Sequence, residues 1–227
     1  MRVGIKLLLV AAAVVAAGVL IGFYVSHLTT LAGSPAYSAP VSGTAAHPVV
    51  NLQIQTVAAV GPKLSQNPDW VSYLIRNNSG QWKRETVWNL PANATVHVTI
   101  FNFDGASGLR NPYFGRPKGM VGNRILVDGK PTVAVDPNEA SHTFAVPGLG
   151  LILAIPGVAD DAKNQCGYAP CPMSNAHRTI KFTFRTPAKG GHFRWQCFVP
   201  CAAGWVFGFG GPMQTIGYMD GFLNVRA

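Results

Sequence analysis

The feature that most constrains this chain is an apolar segment near its N-terminus. The segment from Leu7 to Val25 is nineteen residues long and has no charged side chain, and Arg2 and Lys6 precede it. A helix of this length is long enough to cross the hydrocarbon layer of a bilayer, which is about 30 Å thick. The sequence therefore predicts an N-terminal membrane anchor at residues 1–26.

A cleaved signal peptide is the second interpretation of the same segment, because such signals also begin with basic residues before an apolar region. The residues from Ala36 to Ala39 are a weak match to a cleavage site. In both interpretations the basic N-terminus stays in the cytoplasm and the rest of the chain is exported. We expect a single-pass protein of the cell membrane whose domain lies outside the cytoplasm, in the periplasm or the extracellular space.

The composition beyond the apolar segment divides the chain into two further regions. Residues 27–49 are rich in Thr, Ser, Ala, Gly and Pro, which is typical of a flexible linker. Residues 50–227 are numerous enough to form one domain with its own core.

The pattern of residues 50–227 predicts an all-β domain. The chain has 12% charged residues, 25 Gly and 17 Pro, which argues against disorder and favours short strands joined by tight turns. Apolar and polar residues alternate from Ile180 to Arg185, and a Pro/Gly turn follows, so a hairpin is predicted there. We predict strands at 52–60, 70–76, 95–103, 124–128, 132–135, 179–185, 192–197 and 222–225.

The four cysteines form two pairs that are close in sequence. Cys166 and Cys171 lie in a predicted loop, and in an exported domain we predict a local disulfide between them. Cys197 and Cys201 end a predicted strand and open a loop. Two thiolates at this spacing can bind one soft metal, such as copper, zinc or the iron of an iron–sulfur cluster.

Two segments, SHTFAVPGLG from Ser141 and RWQCFVPC from Arg194, together resemble a known family. They are similar to the copper-binding, cupredoxin-type domain of subunit II of the haem–copper (cytochrome c) oxidases. In that family the first segment supplies a histidine and the second supplies two bridging cysteines of a dinuclear copper centre. The resemblance covers residues 95–225 and implies a cupredoxin-like Greek-key β-sandwich in which His142, Cys197 and Cys201 are copper ligands.

The sequence departs from the family after the second cysteine. Trp205 occupies the position of the family's next histidine ligand, and Gly208 occupies the position of its methionine. The loop continues instead to Met213 and Met219. One histidine of the dinuclear centre is therefore missing.

Three arrangements of the site stay open. In the first, His142, Cys197 and a methionine, Met213 or Met219, bind one copper ion, with Cys201 as a fourth ligand or a neighbour. In the second, Cys197 and Cys201 form a disulfide and the domain holds no metal. In the third, a dinuclear copper centre persists with unusual ligands.

These features lead us to predict a membrane-anchored copper protein that transfers electrons, similar to subunit II of cytochrome c oxidase. A metal-free structural subunit of a membrane complex and a copper-delivery protein are the alternatives. The sequence lacks dinucleotide-binding, P-loop and covalent-haem motifs. Export argues against nucleic acid as a partner despite a net charge of +9. The predicted partners are the membrane and a redox protein or an oxidase complex.

Overall fold

The computed structural model describes residues 3–29, 36–61, 63–64, 70–201 and 211–227. The chain divides into two units, one up to Gly33 and one from Ser34. The first unit contains helix α1, Val3–Thr29. Within it, Val3–Ser26 has the length and apolar composition to cross a membrane. A signal sequence shares both properties, so the membrane anchor and the signal peptide both stay predictions.

The second unit is built from strands. Among the described residues the strands are β1 Ala36–Ser38, β2 Val41–Gly43, β3 Pro48–Val57, β4 Ser72–Arg76, β5 Trp82–Lys83, β6 Val87–Pro91, β7 Thr95–Asn102, β8 Ile125–Val127, β9 Lys130–Thr132, β10 Ala140–Val146, β11 Leu151–Pro156, β12 Arg178–Arg185, β13 Gly191–Gln196 and β14 Asp220–Arg226.

These strands form two sheets. One sheet has the order β1-β6-β14-β13-β10-β11, and the other has the order β5-β4-β3-β7-β12-β8-β9, with β2 paired to β3. The connections from β11 to β12 and from β12 to β13 both pass from one sheet to the other. Two of the candidate ligands, His142 and Cys197, lie on β10 and just after β13, which are neighbouring strands of the first sheet.

The core lies between the two sheets and is rich in aromatic side chains. The indole of Trp88 stacks on that of Trp195 with a centroid distance of 5.1 Å, and both are fully buried. Phe144 packs against both rings. Burying an apolar side chain of this size contributes roughly 1.5–3 kcal/mol to folding. The predicted all-β sandwich, preceded by one apolar helix, is confirmed.

Several strands differ from their predicted positions. The strand predicted at 132–135 is wrong, because β9 ends at Thr132. Strands β6, β10 and β11 were not predicted at all. Every residue of β10 and β11 is buried, so neither strand shows the alternation by which a half-exposed strand is recognised.

The region predicted as a linker, residues 27–49, differs from that expectation in its second half. Strands β1 and β2 lie within it, and β3 begins at Pro48. β1 pairs with β6, and β2 pairs with β3. Tyr37 and Ala39 are buried in the core. The part of this region from residue 36 onwards therefore belongs to the sandwich, since its backbone and side chains are used by the sheets.

Candidate metal centre

The first candidate ligand, His142, lies where the pairing of β10 with β11 shifts. Ala140 pairs with Pro156 while His142 pairs with Ile155, so β10 carries one extra residue at this point. A bulge of this kind bends the strand and redirects its side chains. The side chain of His142 is only 1% exposed. The fold therefore holds an imidazole inside the protein at the end of the sandwich.

The second candidate ligand, Cys197, directly follows β13 and lies beside β10. Gln196 of β13 pairs with Ala145 of β10. Thr143 joins the two segments more closely. Its backbone N–H donates to the Cys197 sulfur at 3.4 Å, and its hydroxyl accepts from the N–H of Phe198 at 2.7 Å. Thr143, the residue after His142, therefore fixes the start of the loop from Cys197 to Cys201, which we call the cysteine loop.

His142, Cys197 and Cys201 form one cluster whose ligand atoms all lie within 4.8 Å of one another. The two sulfurs are 3.1 Å apart, and Nδ1 of His142 is 3.3 Å from the Cys201 sulfur. A disulfide bond would bring the sulfurs to about 2.05 Å, and both cysteines are free thiols here. The disulfide alternative for this pair is therefore not what the structure shows. A metal ion bonded at about 2.0 Å to nitrogen and about 2.3 Å to sulfur could reach all three atoms.

The structure distinguishes between the two candidate methionines. The sulfur of Met213 accepts a hydrogen bond from the Cys201 N–H at 3.4 Å, and its carbonyl accepts from the Gln196 side chain at 2.6 Å. Met219 is fully buried in the core, and its carbonyl accepts from the Cys197 N–H at 3.0 Å. The thioether beside the cluster is therefore that of Met213.

The other ring nitrogen of His142 faces a carboxylate that the sequence did not indicate. Nε2 lies 3.1 Å from Oδ2 of Asp104, although the ring N–H is not aligned for a hydrogen bond. The backbone N–H of Gly105 donates to Oδ1 of Asp104 at 2.8 Å. The amide of Asn102 donates to the carbonyls of Asp104 and Pro156. This arrangement directs Nδ1 of His142 towards the sulfurs, as carboxylates beside metal-binding histidines do.

The electrostatics of the cluster favour one thiolate beside one imidazolium when no metal is bound. Burial lowers the pKa of His142, but Asp104 and Cys197 outweigh it and raise the pKa to about 9. Burial raises the pKa of Cys197, yet hydrogen bonds from Cys201 and His142 bring it well below its ordinary value. The pKa of Cys201 is raised, first by its hydrogen bond to Cys197 and then by burial. Cys197 is thus the first to provide the thiolate that metal binding requires.

Tyr73 supports the cluster from the opposite sheet. Its hydroxyl donates to the Thr143 carbonyl at 2.8 Å, and the residue is fully buried. Burial, followed by the charges of Cys197 and Cys201, raises the pKa of Tyr73. The phenol therefore stays protonated and keeps its hydrogen bond to the strand that carries His142.

The remaining cysteines and histidines lie outside the cluster. Cys166 and Cys171 are joined by a disulfide with a sulfur–sulfur distance of 2.01 Å, which confirms the predicted local bond. His97, His177 and His192 contact Thr183, the Asn175 carbonyl and Asn224, in that order. Within the described ranges, His142 is the one histidine in the group of metal-binding side chains.

The departure from the oxidase family at Trp205 and Gly208 lies outside the described residues, which stop at Cys201 and resume at Gly211.

The sequence led us to four candidate ligands, and the structure places all four near one another. Sequence reasoning missed Asp104 and Tyr73. An Asp before a Gly-rich loop and a Tyr in a buried strand carry no local signal of a metal site, since only the sheet pairing brings them to His142.

Comparisons with known proteins find structural likeness without a sequence relative. No family model and no curated protein matches the chain. It is similar to reduced rusticyanin, with 16% identity over 83% of this chain and 89% of that chain and a TM-score of 0.32. For rusticyanin from Thiobacillus ferrooxidans the identity is 19%, the coverages are 83% and 87%, and the TM-score is 0.31.

A multi-copper oxidase from Pediococcus acidilactici is also similar, with 13% identity over 82% of this chain and 28% of that chain and a TM-score of 0.31. Rusticyanin is described as a copper protein. These superpositions are loose. The donor atoms of His142, Cys197 and Cys201 are what indicate a metal site.

Proposed function

We propose that this chain is a copper-binding electron-transfer protein whose β domain is of the cupredoxin type. The observation that carries the proposal is the buried cluster of His142, Cys197 and Cys201. One imidazole nitrogen and two thiol sulfurs lie within 4.8 Å of one another, which supports a site for a single ion. The structural likeness to rusticyanin and the sequence resemblance to oxidase subunit II agree with this assignment.

The donor set fits copper on chemical grounds. Thiolate and thioether sulfur are soft ligands that favour Cu(I), and imidazole is also a good ligand for copper. Cys197 and Cys201 would supply the thiolates, His142 the imidazole through Nδ1, and Met213 a weak thioether. When bound, copper supplies a one-electron couple. Zinc shares some of these ligand preferences, so the metal must be identified by experiment.

The chain's own residues hold the ligands in place during electron transfer. His142 and Cys197 lie on or directly after paired strands, and Thr143 links the two segments through hydrogen bonds to sulfur and to backbone. Because these ligands are fixed, a change of oxidation state needs little ligand movement. His142 and Cys197 are also buried away from water. Copper delivery needs ligands that are open to an acceptor, so burial favours electron transfer over delivery.

A mononuclear site is the form that the described residues support. A dinuclear centre of the oxidase type uses a second histidine, and the described part of the chain brings one histidine to the cluster. We propose one copper ion per chain. Similarity to oxidase subunit II then concerns the domain and its first ligands, and membership of an oxidase complex is a further part of this proposal.

The location of the domain belongs to the same proposal. Arg2 and Lys6 precede the apolar segment, which orients the N-terminus towards the cytoplasm. The Cys166–Cys171 disulfide is typical of oxidising compartments. We propose that α1 anchors the protein in the cell membrane and that the β domain lies outside the cytoplasm.

Copper titration of the full chain in a neutral detergent tests the proposed function. One equivalent of Cu(II) should produce thiolate-to-copper charge-transfer absorption in the visible range. The absorption should disappear in Cys197→Ser and in His142→Ala. The matched control is His192→Ala, which removes a histidine that contacts Asn224 instead of the cluster, and it should keep the absorption. Equal absorption in all four proteins, or no copper binding above background, would contradict the proposal.

A further inference from the structure

A second feature of interest lies on the outer face of the larger sheet, away from the metal ligands. Side chains of β7, β8 and β12 border a surface groove of about 290 Å³. Cross-strand pairing brings these side chains together, since Lys181 pairs with Thr99 and Leu126, and Thr183 pairs with His97. We call it the basic groove and define it by the side chains that the argument uses: His97, Thr99, Val121, Arg124, Leu126 and Lys181.

The charges of the basic groove are all positive and are not neutralised. Arg124 and Lys181 are exposed, and no acidic residue lines the groove. Within the described ranges, the ion pairs involve other basic groups, such as Arg178 with Asp128 at 2.6 Å. Two uncompensated cations that line one groove raise the local concentration of anions. Arg and Lys are also the usual partners of phosphate oxygens.

Apolar side chains lie directly beside these cations. Val121 is 55% exposed and Leu126 is 36% exposed. A small inorganic anion gains nothing from such neighbours, whereas a ligand with a charged group and an adjoining hydrocarbon part would bury them. The groove therefore fits an anionic amphiphile better than a free ion.

We propose that the basic groove binds the headgroup of an anionic phospholipid. Arg124 and Lys181 contact the phosphodiester, and the hydroxyl of Thr99 donates to one of its oxygens. Val121 and Leu126 contact the glycerol and the first methylenes. Six residues separate the end of α1 from β1, so a membrane-inserted α1 would tether the β domain covalently to a surface that carries such headgroups. This inference rests on the proposed membrane attachment of α1, and it does not rest on copper or on the proposed electron transfer.

Calorimetric titration of the full chain in an uncharged detergent tests the proposal. The probes are dibutyryl-phosphatidylglycerol, dibutyryl-phosphatidylcholine and inorganic phosphate, all of which are soluble as monomers. We expect saturable binding of the phosphatidylglycerol, with phosphatidylcholine and phosphate each at least about tenfold weaker. Phosphate that binds as tightly as the phosphatidylglycerol would show a free-anion site and overturn the proposal. Equal binding of the two lipids, or no saturable lipid binding, would overturn it as well.

Paired variants separate the groove from the net charge of the chain. Arg124→Ala with Lys181→Ala should weaken phosphatidylglycerol binding about tenfold or more. Arg110→Ala with Lys163→Ala removes the same charge from exposed positions elsewhere and should change the affinity by less than about twofold. Equal losses in the two double variants would overturn the proposal. Leu126→Gln keeps the charges and should weaken lipid binding severalfold. An unchanged melting temperature in each variant checks the fold.

Discussion

At the scale of single residues, the candidate site depends on side chains that no sequence motif marks. His142 and the two cysteines could be proposed from the sequence because they occur in segments that resemble an oxidase subunit. Met213 could be named only as one of two methionines. Asp104 lies thirty-eight residues before His142 and could not be linked to it without knowledge of how the loop after β7 packs against β10.

Asp104 is predicted to position His142 rather than to bind metal itself. Asp104→Asn and Asp104→Ala remove the charge beside Nε2, so the imidazole should lose its preferred orientation. We expect copper affinity to fall about 10–100-fold, with a smaller loss in the Asn variant. Competition with a chelator of known affinity measures this, and the electron paramagnetic resonance spectrum reports whether the copper environment changes.

Asp136→Ala provides the control for Asp104. Asp136 is an exposed carboxylate that accepts a hydrogen bond from the Asn138 N–H, and its removal should leave copper affinity unchanged. An Asp104→Ala protein that binds copper as tightly as the unmodified chain, with the same spectrum, would show that the carboxylate does not position His142.

At the scale of strands and turns, the sequence predicted half-exposed strands better than fully buried ones. The alternating pattern of β12 could be read directly. The predicted hairpin into β13 is wrong, because β12 pairs with β7 and β8 in one sheet while β13 pairs with β10 and β14 in the other. Strands β10 and β11 are buried throughout, so their pattern does not alternate. The turn between them contains Gly150 with φ of 63°, a conformation that glycine adopts without steric cost. Strands β1 and β2 lie in the predicted linker, because strands of three residues between Ser-, Pro- and Gly-rich segments share a linker's composition.

Thr143 is predicted to fix the cysteine loop against β10. Thr143→Val keeps the side-chain volume but removes the hydroxyl that accepts from the Phe198 N–H. Loss of this hydrogen bond should lower the free energy of unfolding by about 1–2 kcal/mol. Denaturant unfolding of the metal-free protein provides the measurement.

Thr99→Val is the matched control for Thr143→Val. Thr99 lies half-buried on β7, outside the cluster, so the same substitution there should change stability by less than about 0.5 kcal/mol. A Thr143→Val protein as stable as its Thr99→Val counterpart would mean that the hydroxyl does not hold the loop.

At the scale of the whole molecule, composition alone gave no location for the domain. The apolar helix α1 has the length and composition of a membrane span or of a signal sequence. The basic residues before it and the Cys166–Cys171 disulfide support the export that we propose. The net charge of +9 identifies no partner by itself, and it is consistent with the uncompensated cations of the basic groove.

Protease protection tests this topology. Spheroplasts that carry the full chain are treated with an external protease, and the digestion is then stopped with a strong denaturant. The β domain should be degraded, whereas a cytoplasmic marker protein should stay intact. The control is the double substitution Arg2→Glu with Lys6→Glu, which should reduce export because the positive charge before the apolar segment is lost. A β domain protected to the same extent as the cytoplasmic marker would contradict the proposed location.

The central claim is that His142, Cys197 and Cys201 bind one copper ion. X-ray absorption at the copper edge of the full chain, loaded with one equivalent of copper, tests it most directly. We predict two sulfur neighbours and one nitrogen neighbour of copper, at distances close to the roughly 2.3 Å and 2.0 Å of zinc–thiolate and zinc–imidazole bonds. The sulfur signal should be lost when both Cys197 and Cys201 are replaced by Ser. A spectrum with nitrogen and oxygen neighbours alone, or one unchanged by the double substitution, would contradict it.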